Sequence, residues 1–223
     1  MQTNRQIITT ADGSKTIYFP DLDENYHSHN GALQESVHIF IKNGIRHFAT
    51  QTSIHIFEVG FGTGLNALLT ADFAQNNTVK TIYHTIEAFP IALEEVEALN
   101  YASLFEVEKI KDLALGLHQL PWGKEMEVDD YFQFKKIHDK LENYSLENNF
   151  YDCVFFDAFA PAIQEELWTT EIFSKIFQAL KPGGLLVTYC AKGQVKRDLK
   201  SVGFTVESTP GPPGKREITL AWK

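Results

Sequence analysis

Residues 58–66 read EVGFGTGLN, and their setting limits what this chain can fold into more than any other feature. An apolar run, SIHIFEV, leads into them and an apolar helical run, ALLTADFA, leads out. Three alternating glycines, Gly60, Gly62 and Gly64, let a backbone turn sharply and approach a ligand at a helix N-terminus. The unit is strand, tight turn, helix, which is how a doubly wound α/β sheet begins. Apolar runs alternate with helical patterns from there on, the signature of a parallel sheet. SIHIFEV, TIYHTIEA, YFQFKKI, YDCVFFDAF and GLLVTYC are expected as strands, with FTVEST and EITLAWK as a terminal antiparallel pair. The expected core is therefore a mostly parallel sheet of seven strands. Upstream, RQIITTADGSKTIYFP predicts two short strands about Asp12-Gly13, a dipeptide suited to a tight hairpin. A helix from near Ala32 would place Leu33, Val37, Phe40 and Ile41 on one face and end at Gly44. The segment from Asn100 to Asp130 reads as helical with a break at Pro121-Trp122-Gly123. Residues 1–50 are thus expected as an N-terminal extension and 51–223 as the α/β domain.

At 223 residues the chain is long enough for one large α/β unit, and 43% hydrophobic content is that of a globular protein. Cys153 and Cys190 fall inside apolar runs and are expected to pack rather than to bridge. The opening MQTNRQIITT is too polar for a signal peptide, and no apolar run approaches the roughly 20 residues that span a bilayer. A cytoplasmic protein with no membrane contact is expected. A net charge of −9 speaks against a nucleic-acid partner, because phosphates want Lys and Arg. The distribution tempers this: from Tyr189 onward seven bases face three acids, leaving the remainder at −13. Such asymmetry permits a local basic patch, although a solvated helix face would look the same. His27, His29 and His38 lack the carboxylate or cysteine support of a zinc site, so no metal is expected.

A dinucleotide fingerprint, G-x-G-x-x-G, would need glycine at Leu65, which disfavours a nicotinamide enzyme. The spacing G-x-G-x-G, with Glu58 two residues before the first glycine, instead resembles the first motif of class I methyltransferases. That resemblance implies S-adenosylmethionine as cofactor, held by Glu58, Gly60, Gly62, Gly64 and Asn66. Glu87 closes TIYHTIEA about 20 residues beyond the glycines, where the fold places an acceptor for ribose hydroxyls. Asp139 ends the third strand, as an acceptor for an adenine amino group or as a helix N-cap. Asp157 ends the fourth strand, beside the switch point where ligands of open α/β sheets collect. Amine methylation is a displacement at a sulfonium carbon and needs a nitrogen with a free lone pair. Asp157 could hold the amine and take its proton, with Phe159 packed against a base or the transferred methyl. Pro161 would keep Ala160 extended and this loop open. Capping of the next helix is the competing role for Asp157, and core packing competes with base stacking for Trp168.

Several stretches together resemble the methyltransferase domain of the bifunctional tRNA wobble-uridine enzyme MnmC and its free-standing form MnmD. They are FEVGFGTGLN, the IEAFP segment with Glu87, the D-x-F-A-P segment with Asp157, Trp168, and the Gly-Lys-Arg-Glu loop at Gly214–Glu217. YHSHNGALQESVHIFIKNG, holding Tyr26 and Ser28, resembles the family's N-terminal region, so coverage is nearly complete. The resemblance implies the class I methyltransferase fold and methyl transfer to the exocyclic amine of 5-aminomethyl-2-thiouridine at the tRNA wobble position. It implies tRNA as partner, with Tyr26, Ser28, Phe159, Pro161, Lys215 and Arg216 on the substrate side. Lys192, Lys196, Arg197 and Lys200 on a following helix could track phosphates. Nothing follows Lys223, so the flavin (FAD) domain of the bifunctional form is expected to lie outside this chain. His138 before Asp139 departs from the smaller residue expected there. The competing expectation within the same fold is a small-molecule amine methyltransferase, for which an acidic surface would be natural.

Overall fold

The computed structural model describes residues 4–223. Strands β1 (Gln6–Thr9) and β2 (Lys15–Phe19) form the hairpin about Asp12-Gly13, and β3 (Glu24–Asn25) joins them in a small antiparallel sheet. Helix α1 (Ala32–Ser36) runs on into a π-helical turn at Val37–Lys42, where Asn43 N–H reaches back five residues to His38 C=O. That wider turn shifts the helical phase. The face turned fully inward is Ala32, Glu35, Ser36, Ile39 and Phe40, whereas Leu33, Val37 and Ile41 are only half-buried. The face expected from a uniform 3.6-residue period is therefore rotated, and it carries an acid.

The main sheet contains β4 (Ser53–Val59), β5 (Lys80–Glu87), β6 (Met126–Glu127), β7 (Phe132–His138), β8 (Tyr151–Phe156), β9 (Leu180–Thr188), β10 (Thr205–Pro210) and β11 (Glu217–Trp222). Their spatial order is β10-β11-β9-β8-β4-β5-β7-β6. β7, β5, β4, β8 and β9 are mutually parallel, and β11 and β10 close one edge antiparallel. All seven expected strands are present, and the two-residue β6 pairs antiparallel with β7 at the far edge. Every strand alternates its side chains between faces. Ile54, Ile56, Tyr83, Phe134 and Phe155 pack under α2 (Leu65–Asn77), α4 (Glu108–Gln119) and the N-terminal extension. Phe57, Val59, Ile86, Phe156 and Leu186 pack under α5 (Thr170–Ala179) and α6 (Gly193–Ser201). The remaining helix, α3 (Leu93–Leu99), follows β5 and packs by Val96 and Leu99 into the first of these layers. Cys153 and Cys190 are free and buried.

The extension is fastened by its own turn chemistry. Ser14 Oγ accepts from the N–H groups of Ala32 and Leu33, and Asp12 Oδ2 accepts from Gln34 N–H at 2.9 Å. The first N–H groups of α1, orphaned in any helix, are thus satisfied from the hairpin some twenty residues upstream. No helix among the described residues is long and apolar enough to cross a membrane. Asp12→Ala should remove that cap and lower stability by about 1 kcal/mol, read as a shift of the urea midpoint at unchanged slope.

Candidate active site

Where β4 and β8 part company at the C-terminal edge of the sheet, a cavity of about 710 Å³ opens. The glycine loop forms its floor. Gly60, Gly62 and Gly64 all take positive φ, at +92°, +49° and +77°. A Cβ on Gly60 would meet the Asp157 carbonyl oxygen at 2.8 Å, and one on Gly62 would meet the Tyr26 ring at 2.7 Å. Gly64 faces the other way, against His118, and lies outside the cavity walls. Its value is as the left-handed residue that opens α2. Glu87 Oε2 accepts from Gly62 N–H at 3.0 Å and Oε1 from Phe89 N–H at 2.8 Å, which fixes the carboxylate at the cavity rim. Asp139 also lines the cavity, exposed, with Oδ1 accepting from Lys140 N–H. No helix begins there, so it caps none.

Asp157 leaves β8 with its N–H donated to Val59 C=O at 3.0 Å, and its carboxyl faces the cavity. It does not cap α5, whose N-cap is Thr169. Asn66 Nδ2 donates to Asp157 Oδ2 at 2.8 Å. Burial, then the charge of Glu35, push the Asp157 carboxyl up to about 7, against the opposing effects of Asn66 and Lys215. Glu58 does not reach the cavity. It is wholly buried beneath the loop, accepting from Thr85 Oγ1 at 2.7 Å. Burial raises its carboxyl to about 8, so it is protonated at neutral pH. Glu58 Oε1 is buried without a hydrogen-bond partner, and Glu58 lies beneath the loop rather than in the cavity lining.

The opposite wall is aromatic. Tyr26, Phe19 and Phe159 form a triangle with centroids 5.1–5.6 Å apart. Phe159 is held by its backbone: its N–H donates to Gln164 Oε1 and its carbonyl accepts from Trp168 Nε1, each at 2.8 Å. Trp168 is thus core, and it sets the loop that presents Phe159. Pro161 lies just outside the wall and Ser28 within it. Lys215 comes inward from the β10–β11 loop, its Nζ 3.3 Å from Glu35 Oε1 and 4.7 Å from the Tyr189 ring centre. Arg216, beside it, is exposed and is not among the residues that line the cavity. Two functional candidates escaped the sequence reading, Glu35 and Tyr189. Glu35 at helical spacing from Ala32 and Ile39 was the available signal for the first; nothing marked the second.

The model of the S-adenosyl-L-methionine-dependent methyltransferase family matches residues 107–223, more than half of the chain. The chain belongs to this family. Over its full extent this methyltransferase is similar to the tRNA 5-methylaminomethyl-2-thiouridine biosynthesis bifunctional protein MnmC. Identity is 33% over 221 residues with that of Cupriavidus necator, covering 92% of this chain. It is 30% over 220 residues with that of Leptospira interrogans, covering 89%. The chain spans about a third of the length of either relative, 32% in each case. The crystal structure of MNMC2 from Aquifex aeolicus superposes with a TM-score of 0.78 at 24% identity, over 99% of this chain and 70% of that one. Spermidine synthase from Thermotoga maritima shares the fold at a TM-score of 0.55 and 16% identity, over 100% of this chain and 74% of that one.

The residues present fit S-adenosylmethionine: a loop at the cavity floor whose Gly60 and Gly62 carry no side chain, a rim carboxylate and a helix N-terminus. Gly62→Val should abolish cofactor binding, because the branched side chain collides with Tyr26 and opposes the positive φ. Glu87→Ala should weaken it by about 1–3 kcal/mol. Equilibrium titration with S-adenosylmethionine reads both, and unchanged affinity in either would remove that residue from the cofactor site.

Proposed function

We propose that this methyltransferase transfers a methyl group to the exocyclic amine of 5-aminomethyl-2-thiouridine at the wobble position of tRNA, giving the 5-methylaminomethyl nucleoside. The observation that carries the reading is Asp157: a carboxyl raised to about 7, facing a cavity between the glycine loop and an aromatic wall. The relatives are named for biosynthesis of a nucleoside bearing an N-methyl group, and an amine acceptor needs such a base. Glu87, Gly60 and Gly62 would hold S-adenosylmethionine, with Asp139 beside the adenine. The bound cofactor supplies a methyl carbon made electrophilic by a sulfonium sulfur.

What the chain adds is control of the amine. An alkyl ammonium of lysine-like pKa, about 10.4, is mostly charged at neutral pH and has no lone pair. Asp157, fixed by Asn66, accepts its hydrogen bond and takes one proton before the attack, which frees the nitrogen lone pair. A carboxyl near 7 is matched to that task, because an ordinary aspartate at about 3.9 would be too weak a base. Tyr26 and Phe159 offer ring faces to the uracil, and Lys192, Arg197 and Lys200 form an exposed basic face on α6. Lys196 is less available, since it pairs with Glu217 at 2.6 Å. A cytoplasmic location accords with a tRNA substrate.

Asp157→Asn keeps the shape of the site and removes the base. Turnover should fall by about 10²–10⁴-fold with near-normal cofactor binding, and the residual rate should rise with pH as solvent takes over deprotonation. In the wild type the rate should climb with pH through about 7 as Asp157 ionises. Transfer of labelled methyl to tRNA from cells lacking this protein, followed by nucleoside analysis, checks both. Full activity of the variant at neutral pH, or a wild-type enzyme that leaves such tRNA unmodified, would overturn the assignment.

A further inference from the structure

Of the carboxylates that line the cavity holding Asp157, Glu35 is the most buried, at 8% exposed. Its Oε2 accepts from Ser28 N–H at 2.7 Å and its Oε1 lies 3.3 Å from Lys215 Nζ. Lys215 is brought there by an unusual local path. Gly214, at φ +86°, lies against the Asn30 side chain, and Lys215 N–H closes the turn onto Pro212 C=O. Its ammonium then crosses the Tyr189 ring, whose hydroxyl is tied to Ala158 C=O, next to Asp157. The other cation lining this part of the wall, Arg5, is already paired with Glu95 at 2.9 Å. Lys215 is the cation paired with Glu35, and its charge also acts on Asp157.

We propose that Lys215 is a positioning residue that neutralises Glu35 inside the acceptor pocket, so that the incoming amine meets one free carboxylate, Asp157, rather than two. The inference rests on the reading that the acceptor is an amine. An ammonium flanked by two uncompensated carboxylates is stabilised in its charged, unreactive form. With Glu35 taken up by Lys215, the proton of the substrate nitrogen has one destination. The Lys215 charge also repels the ammonium and favours the neutral amine. The other ionisable groups facing this cluster are Tyr189 and Cys190 after β9, Glu24 on β3, Tyr26 and Glu87 at the cofactor side, Glu58 and Tyr83 beneath Asn66, and Lys192 and Lys196 near Cys190. His27 also feels the Glu35 and Asp12 charges, but burial pushes its ring down to about 4 and it stays neutral, so none of these groups offers Glu35 a second cation. Once one ammonium proton has passed to Asp157, the neutral amine attacks, the N–C bond forms, the S–C bond breaks with its electron pair left on sulfur, and the positive charge moves from sulfur to the methylated nitrogen.

The test is the pH dependence of single-turnover methyl transfer to aminomethyl-uridine tRNA, from about pH 6 to pH 9, for wild type, Lys215→Met and Lys215→Met/Glu35→Gln. Lys215→Met should move the rising limb up by about one unit, making the enzyme about fivefold slower at pH 7, about tenfold slower at pH 6 and nearly normal at high pH. Adding Glu35→Gln should bring the midpoint back towards the wild type, because it removes the charge that Lys215 had balanced. S-adenosylmethionine affinity should be unchanged in both variants, which also reports that the site is folded. The slope of tRNA binding against salt should be unchanged too, whereas a phosphate contact at Lys215 would flatten it. An unmoved midpoint, a loss uniform across pH, or a loss that Glu35→Gln does not relieve would overturn the proposal. A wild-type enzyme inactive on this tRNA would instead strike the reading beneath it.

Discussion

Everything at this site depends on how closely two loops approach as they leave the sheet side by side. Gly60 N–H donates to Ile86 C=O on one neighbour, and Asp157 N–H donates to Val59 C=O on the other. β4 is thus pinned on both sides at the point where its loop turns away. The space between the loops holds no Cβ, since one on Gly60 would lie 2.8 Å from the Asp157 carbonyl. A cofactor floor and an acid–base residue can be neighbours only because of that gap. The same crowding withdraws Asp157 from water, and withdrawal makes an aspartate a competent base near neutral pH. One steric fact therefore sets both the position and the proton affinity of the principal residue.

Burial of acids recurs around the cavity, and each is answered differently. Glu58 is resolved by protonation, with Thr85 as its partner. Glu87 is resolved by two backbone N–H groups and exposure at the rim. Glu35 is resolved by Ser28 N–H and the Lys215 cation. Asp157 alone is left with a single side-chain donor, Asn66, and a charge that the site does not fully compensate. In a low-dielectric pocket the uncompensated group is the one with chemistry to offer an incoming cation.

The parts of this arrangement that were legible in the sequence are those written in local pattern. Alternating apolar runs located all seven core strands, and a carboxylate at the end of an apolar strand identified Glu87 and Asp157, because the period-2 pattern puts strand ends at the ligand edge. Spacing alone could not say which way a loop residue turns. Gly64 and Glu58 belong to the glycine motif, yet the first backs onto His118 and the second is buried below it. Lys215 read as a surface cation in a hairpin loop, and its inward course depends on Gly214 meeting Asn30, a contact between the two ends of the chain. Glu35 was hidden by the π-helical turn, which rotates α1 away from the face a regular period predicts.

That last contact explains why the acceptor side of the cavity draws on residues so far apart in sequence. The floor and rim, Gly60 to Asp157, come from the central strands that any sheet of this winding supplies. The opposite wall has no such scaffold. Tyr26, Ser28 and Glu35 come from the N-terminal extension and Lys215 from the last hairpin, and the two are joined by Gly214 against Asn30 and by His38 Nε2 to Pro210 C=O at 2.8 Å. Each half alone would leave a polar or apolar edge open to water. Together they close a wall whose aromatic rings suit a flat base and whose paired charges leave Asp157 free. The cavity is thus built from two sources, a floor and rim from the central strands and an opposite wall from the two chain ends that meet there.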